Sequence, residues 1–423
     1  MAQPHSAADG VEYDPFSVEV MTDPYPVYRA LRRRGPVIPL PHYDAFALTR
    51  FDDVWRVLTD RDRFSIFEGP VFHRAALLRH HDGAPDTTVA TPLPTFSMLD
   101  PPVHTQLRQA LLGPFRPRAV APMEDTVRRF ARARLDALAA RDEFDVRHDY
   151  ASPVAAQVAA LQLGFPVEDA ELLVTWVNAF VAREPDVAGI SEAGEAAHRE
   201  LHGYLVDLVA ERRATRDHRP HDQRPHGDGP GDLIDDLCDY VGPRGALDDS
   251  EIAVQLSTLF IGGSETLPKT VAGGVYELWR APEQRAALVD RPDATARAFE
   301  EMLRHQLPLQ FVGRTLLVDT EVGGVEMRAG QRVVLLLICA NRDELEFDDP
   351  ERFDAARTID RHLGFGHGVH VCIGAHVARL EGVVLVQELL ARFPGYDVVE
   401  DGLAREVSEF HVGWARMPVT VSA

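Results

Sequence analysis

Two rhythms of apolar and polar residues run along this chain. In DPYPVYRALRRRG (Asp23–Gly35) apolar positions recur every three or four residues and Gly35–Pro36 closes the run, which predicts an amphipathic helix. PHYDAFALTR then alternates as a strand, and FDDVWRVLTD returns to a short helix. The stretch from Phe64 to Met98 keeps no period and is rich in Pro, Thr, His and Gly; irregular segments of that length in a folded chain are usually functional or mobile. From Pro101 to about Arg213 the helical rhythm dominates. RDHRPHDQRPHGDGPGD (216–232) is low-complexity and reads as a flexible loop, as the polar start 1–12 reads as disordered. Beyond it come a long helix, another around Ala294–His305, and short strands at VDTEVGG and QRVVLLLIC. A helix ending at Phe393 and a strand-rich tail follow. The pattern predicts a mainly α chain with minor β (α+β), its strands concentrated near the two ends, in a single domain spanning 1–423.

The long helix, LDDSEIAVQLSTLFIGGSETLPKT, opens on a capping pattern, Asp248 three residues before Glu251. Ile252, Leu256, Leu259, Gly263, Thr266 and Thr270 fall on one face, a stripe that begins apolar and ends in glycine and threonine. Two adjacent glycines inside a helix cost about 1 kcal/mol each relative to alanine, so Gly262 and Gly263 imply close packing or the approach of a ligand to the backbone. Pro268 cannot donate to the carbonyl of Ser264 and predicts a kink.

Charge and cysteine content narrow the class. A net charge of -22 argues against nucleic acid as a general partner. The longest apolar run, near Val333–Ala340, is far short of the roughly 20 residues that span a bilayer, and the start has no signal-peptide pattern; a cytoplasmic protein without a membrane segment is expected. Three cysteines at unrelated spacings make no disulfide framework. Positive charge is almost all arginine; the single lysine is Lys269.

Cys372 stands in HLGFGHGVHVCIGAHVARLEG, just ahead of a helix that Pro394 stops. Orphan N–H groups and the helix dipole favour a thiolate there. A lone cysteine is most often a small buried hydrophobe, and zinc would need companion ligands at short spacing. A single thiolate among Gly366, Gly368 and Gly374 suits an axial ligand of haem iron.

FGHGVHVCIG (Phe365–Gly374) resembles the signature of the cytochrome P450 family, Phe-x-x-Gly-x-His/Arg-x-Cys-x-Gly, at every fixed position, and the likeness extends over nearly the whole chain, towards the soluble bacterial branch that uses separate redox partners. It implies the P450 fold, haem b (iron protoporphyrin IX) and Cys372 as axial ligand, with Phe365, Gly374 and Gly263 lining the cofactor. FEEMLRH supplies the family's Glu-x-x-Arg as Glu301 and Arg304, joined by an arginine that matches Arg352 in DDPERF; the three read as structural. LDPPVHTQLRQ supplies His104 and Arg108, which with Arg314 and His370 match the family's propionate-binding positions. GGSET resembles the oxygen-activation motif, with Thr266 and Glu265 as the alcohol–acid pair that relays protons; Leu267 replaces a second hydroxyl found in many relatives.

The activity implied is insertion of one oxygen atom from O2 into an apolar or amphiphilic small molecule, by hydroxylation or epoxidation, in natural-product (secondary) metabolism. By order in the family, the pocket would use Phe96, Phe180, Leu259, Gly262, Leu309, Phe311 and Trp414. Electrons would come from NAD(P)H through a ferredoxin reductase and a ferredoxin, with Arg108, Arg116 and Arg118 as a basic docking patch. Peroxide-driven oxidation and a haem-dependent binder without turnover are the alternatives; the Glu265–Thr266 pair argues against both.

Overall fold

The computed structural model describes residues 13–183, 189–217 and 233–421. The polar start 1–12 and residues 218–232 of the His-rich tract lie outside the described residues, while Arg216 and Asp217 end a helix. Helix α1 (Tyr25–Arg34) stops at Gly35, whose φ of 147° is open to glycine, and α2 (Phe51–Thr59) follows two short strands. Then come α3 (Val103–Leu111), α4 (Glu124–Leu138), and a wide helical turn, Val146–Ala151, that leads into α5 (Ser152–Leu163). Helices α6 (Ala170–Val181), α7 (Glu192–Asp217), α8 (Asp249–Arg280), α9 (Thr295–His305) and α10 (Ala375–Arg392) complete the main helical part. Among the described residues no helix is long and apolar enough to cross a membrane.

The main sheet joins sequence-distant segments, in the order Val37–Leu40, Ala45–Leu48, Arg332–Leu335, Val312–Leu316, Phe64–Ser65. Arg332–Leu335 runs parallel to Ala45–Leu48, with Val333 opposite Phe46, and antiparallel to Val312–Leu316, with Val333 opposite Arg314. This central strand is buried along its whole length, which is why its sequence is a continuous apolar run rather than an alternation. The run divides after Leu335: Leu337–Ala340 turns into a short helix, a break the apolar pattern alone does not reveal. The tail strand Pro418–Thr420 pairs with Asp397–Val398 and with Glu143–Asp145, tying the end of the chain to the entrance of α5.

Helix α8 is the axis of the helical part and packs against α5, α6, α7, α9 and α10. Its capping box forms as the sequence predicts, with Asp248 accepting from the Glu251 N–H at 2.7 Å. Pro268 sits inside the helix, which runs through it without interruption. Behind α8, α9 presses on α10 so closely that a Cβ at Gly382 would enter the ring of Phe299.

Candidate functional site

The loop before α10 is built by backbone geometry. Gly366 and Gly368 take left-handed φ values of 67° and 74°, and the Cys372 N–H donates to the Phe365 carbonyl at 2.8 Å. A side chain at Gly368 would also meet the Leu58 carbonyl at the end of α2. Cys372 is open at its surface and stands three residues ahead of α10. Enclosure by the surrounding protein nonetheless pushes its thiol up from the ordinary value, against the pull of the Gly374 N–H, Arg108 and Arg379. The chain's own charges favour the thiolate there, but burial outweighs them. A bound metal cation supplies the charge that deprotonates a coordinating thiol.

Four basic side chains gather beside this loop. The His104 ring lies 4.0 Å from that of His370, and both His104 ring nitrogens are buried with no hydrogen-bond partner among the described residues. Burial and then Arg108 push His104 down to about 4. Burial, followed by His104, Arg314 and Arg108, pushes His370 down to about 2. Arg314, buried in its strand, makes no ion pair among the described residues; it donates to the Gly313 carbonyl at 2.7 Å, and burial pulls it to about 10 despite Asp100. Arg108 donates to the Val371 carbonyl at 2.5 Å, joining α3 to the cysteine loop. Two buried and two half-buried basic groups that repel one another, with Asp100 alone acting in favour of the Arg314 charge, fit an apolar group with an acidic edge.

The loop's outer side holds contacts that the sequence did not announce. Trp55 of α2 stacks on His367 with ring centroids 3.5 Å apart. Arg379 lies over the Phe365 ring at 4.6 Å and pairs with Glu300 at 2.7 Å. Burial would raise Glu300, but hydrogen bonds from His362 and Arg379 outweigh it and hold the carboxyl at about 2. A Glu-Glu pair on α9, one member buried and the other facing α10, was the available clue.

Glu301 and Arg304 form a fully buried bidentate pair, at 2.6 and 2.7 Å. The third arginine is Arg357, whose Nε lies 3.3 Å from Glu301, and not Arg352. Arg352 has its side chain 64% exposed and pairs with Asp354 at 2.8 Å; it contributes only its carbonyl, which accepts from Arg304 and Arg357. The assignment of Arg352 is thus corrected. The chain turns between Arg352 and Arg357, and the Asp354 N–H caps Glu301 at 3.0 Å, so the later arginine is carried inward.

On α8, Gly262 and Gly263 are exposed between the half-buried Ile261 and the buried Ser264, and Thr266 Oγ1 donates to the Gly262 carbonyl at 2.8 Å. Glu265 is buried and ion-paired through Oε1 to Lys269 and, at 3.3 Å, to Arg147.

The residues expected at the pocket do not all gather. Phe96 is buried with its ring 6.5 Å from His104, Leu259 is buried on α8, Leu309 bridges His411, and Phe180 stacks on His198 at 4.6 Å. Phe311 is 0% exposed and belongs to the core beneath the main sheet. Trp414 packs between Tyr276 and Arg405 in another core, its carbonyl accepting from Arg147. Both are corrected to core residues: each sits at a strand end where the backbone turns its ring inward. Arg116 precedes a short helix, Pro117–Val120, that packs against α10, and Arg118 lies exposed on it.

A cysteine loop beside a cluster of basic groups, with a long helix that carries an exposed glycine pair and a threonine bonded to the Gly262 carbonyl, is the arrangement of a haem-thiolate protein. The chain belongs to the cytochrome P450 family: the profile of that family, Cytochrome P450, matches residues 49–290 and 293–396. It is 34% identical to cytochrome P450 130 of Mycobacterium tuberculosis, over 92% of this chain and 93% of that one. It is 32% identical to a vitamin D(3) 25-hydroxylase of Pseudonocardia autotrophica, over 97% and 96%. The solved structure of cytochrome P450 CYP109Q5 from Chondromyces apiculatus superposes with a TM-score of 0.80 at 30% identity, covering 97% of this chain and 98% of that one. The cofactor of the family is haem b, and the protein is a haem-thiolate monooxygenase.

Proposed function

We propose that Cys372 is the axial ligand and that His104, Arg108, Arg314 and His370 hold the two propionates of haem b, with Phe365, Gly374 and Gly263 against its faces. The observation that carries this reading is the basic cluster: His104 and Arg314 are buried, both His104 ring nitrogens lack a hydrogen-bond partner among the described residues, and Arg314 makes no ion pair among them. Bound there, haem b supplies the iron that activates dioxygen and delivers one of its atoms to the substrate. Cys372 would be its electron-rich ligand, and His104 and Arg108 of α3, with Arg314 of the strand Val312–Leu316, would hold its acidic edge. The Thr266 hydroxyl donates to the Gly262 carbonyl on an exposed turn of α8, where a Cβ at Gly262 would meet nothing within 4 Å, so a small ligand has room against the backbone there. Its hydroxyl and the Glu265 carboxylate form the route by which protons reach that turn.

The substrate is an apolar or amphiphilic small molecule, lying among Phe96, Leu259, Gly262, Leu309 and Phe180. The likeness to a vitamin D(3) 25-hydroxylase supports hydroxylation as the reaction. Electrons arrive from NAD(P)H through a reductase and a ferredoxin that docks on the α10 side, at Arg116, Arg118 and the exposed Val371 beside the cysteine.

Incubation of the haem-loaded protein with ferredoxin, reductase, NADPH, labelled dioxygen and a panel of terpenoids, steroids and polyketides tests this reading. A ligand that shifts the haem spectrum and gains one labelled oxygen is the expected result. Product formed only when peroxide replaces the electron chain would overturn the proton route, and oxidation without label would overturn the chemistry.

A further inference from the structure

Lys269 is the only lysine among 423 residues, and it is 1% exposed. A buried ammonium without a role would be replaced at little cost, because an apolar residue of similar volume serves a core as well or better. Lys269 lies one helical turn beyond Glu265 on α8 and pairs with its Oε1. The same oxygen takes Arg147 at 3.3 Å and has His411 Nδ1 at 3.9 Å. Oε2 of Glu265 is buried and has no hydrogen-bond partner among the described residues.

The surroundings extend this asymmetry outward. Glu406, on the tail loop, accepts from Arg147 at 2.6 Å and lies 3.8 Å from the Lys269 ammonium, so Lys269 stands between an inner and an outer carboxylate. The cluster therefore balances two cations, Arg147 and Lys269, against Glu265 and Glu406. His411 remains neutral beside them, since burial and then Lys269, Arg147 and Arg183 push it well below its ordinary range. Burial raises Glu406, but Lys269 and Arg147 more than reverse this. Arg183 is engaged with Glu409 at 3.3 Å, and His148 is held on the Ala415 carbonyl at 2.8 Å.

We propose that Lys269 is the positioning residue of the oxygen-site acid: with Arg147 it fixes Glu265 by Oε1 and leaves Oε2 as the one oxygen free to receive a proton and pass it on towards Thr266. This rests on the reading of Glu265 as the relay acid. The proton enters at Oε2 and leaves from Oε2, so the carboxylate ends each transfer unchanged and Lys269 keeps its ammonium.

The test compares the haem-loaded proteins Lys269→Met, Lys269→Arg and Glu265→Gln for product formed per electron pair, and adds a crystal structure of Lys269→Met. Lys269→Met is expected to lower product per electron pair by about tenfold, the range lost when a group that orients a working residue is removed. Glu265 should then adopt more than one rotamer in the crystal, and Lys269→Arg should recover most of the loss. If Lys269→Met misfolds, Lys269→Met/Glu406→Gln removes one charge of each sign and is expected to show the same loss. Normal coupling in the uncharged variant with a single, unmoved Glu265, while Glu265→Gln loses coupling, would overturn the role of Lys269 and leave the relay reading intact. Normal coupling in Glu265→Gln would overturn both.

Discussion

At the scale of single residues, the buried ion pairs separate positions that a sequence motif treats alike. Glu301 has two hydrogen bonds from Arg304, three residues on in the same helix, and one each from Arg357 and the Asp354 N–H, which a later loop carries in. Arg304→Leu would break the fully buried ion pair, taking two of the four hydrogen bonds of Glu301, and should lower unfolding stability by about 3–5 kcal/mol. Arg357→Met removes one charged hydrogen bond and should cost about 1.5–3 kcal/mol, whereas Arg352→Met should leave the denaturation midpoint unchanged. Urea titration of the three variants reads the order directly. Thr266 is a different case, because its hydroxyl serves the helix backbone at 2.8 Å and, in the proposed function, the proton route as well. Thr266→Ala should slow product formation by on the order of 10²-fold while electrons drain into peroxide. Peroxide release measured against NADPH consumed checks it, and an unchanged ratio would contradict the role given to the hydroxyl.

At the scale of elements, α8, α9 and α10 are held at distances set by small residues. Gly382 lies under the Phe299 ring, so Gly382→Ala should cost about 1–3 kcal/mol through overpacking, and Phe299→Leu should recover part of that loss in the double variant. Thermal denaturation of the two singles and the double measures the coupling. Much of this layer was legible in the sequence. The capping box at Asp248, the stripe from Ile252 to Thr270 and the glycine-bounded cysteine loop are local patterns, and local patterns survive folding. What failed were statements about where a side chain ends up across the molecule. Phe311 and Trp414 lie at strand ends whose partners are distant in the chain, and no period reports which face they take. Arg352 and Arg357 both follow acidic turns, and only the path of the backbone between them selects the inner one. The Lys269–Glu265 spacing was visible as an i, i+4 pair, but its burial and the arrival of Arg147 and Glu406 depend on the turn before α5 and on the tail.

At the scale of the whole molecule, a chain of net charge -22 presents Arg116 just before, and Arg118 on, a short helix that packs against α10, the helix that follows the cysteine loop. Charge reversal of both should slow reduction by an acidic ferredoxin and flatten the dependence of that rate on salt; stopped-flow reduction from low to physiological ionic strength measures it. An unchanged rate and slope would remove the docking site from this face. The central claim is that this loop and its basic cluster hold haem through Cys372. The absorption spectrum of the reduced protein under carbon monoxide, recorded beside Cys372→Ser, tests it most directly. The account predicts the long-wavelength Soret band from which the family takes its name, absent from the variant while haem is retained. Haem bound without that band in the unaltered protein, or the band persisting in Cys372→Ser, would contradict it.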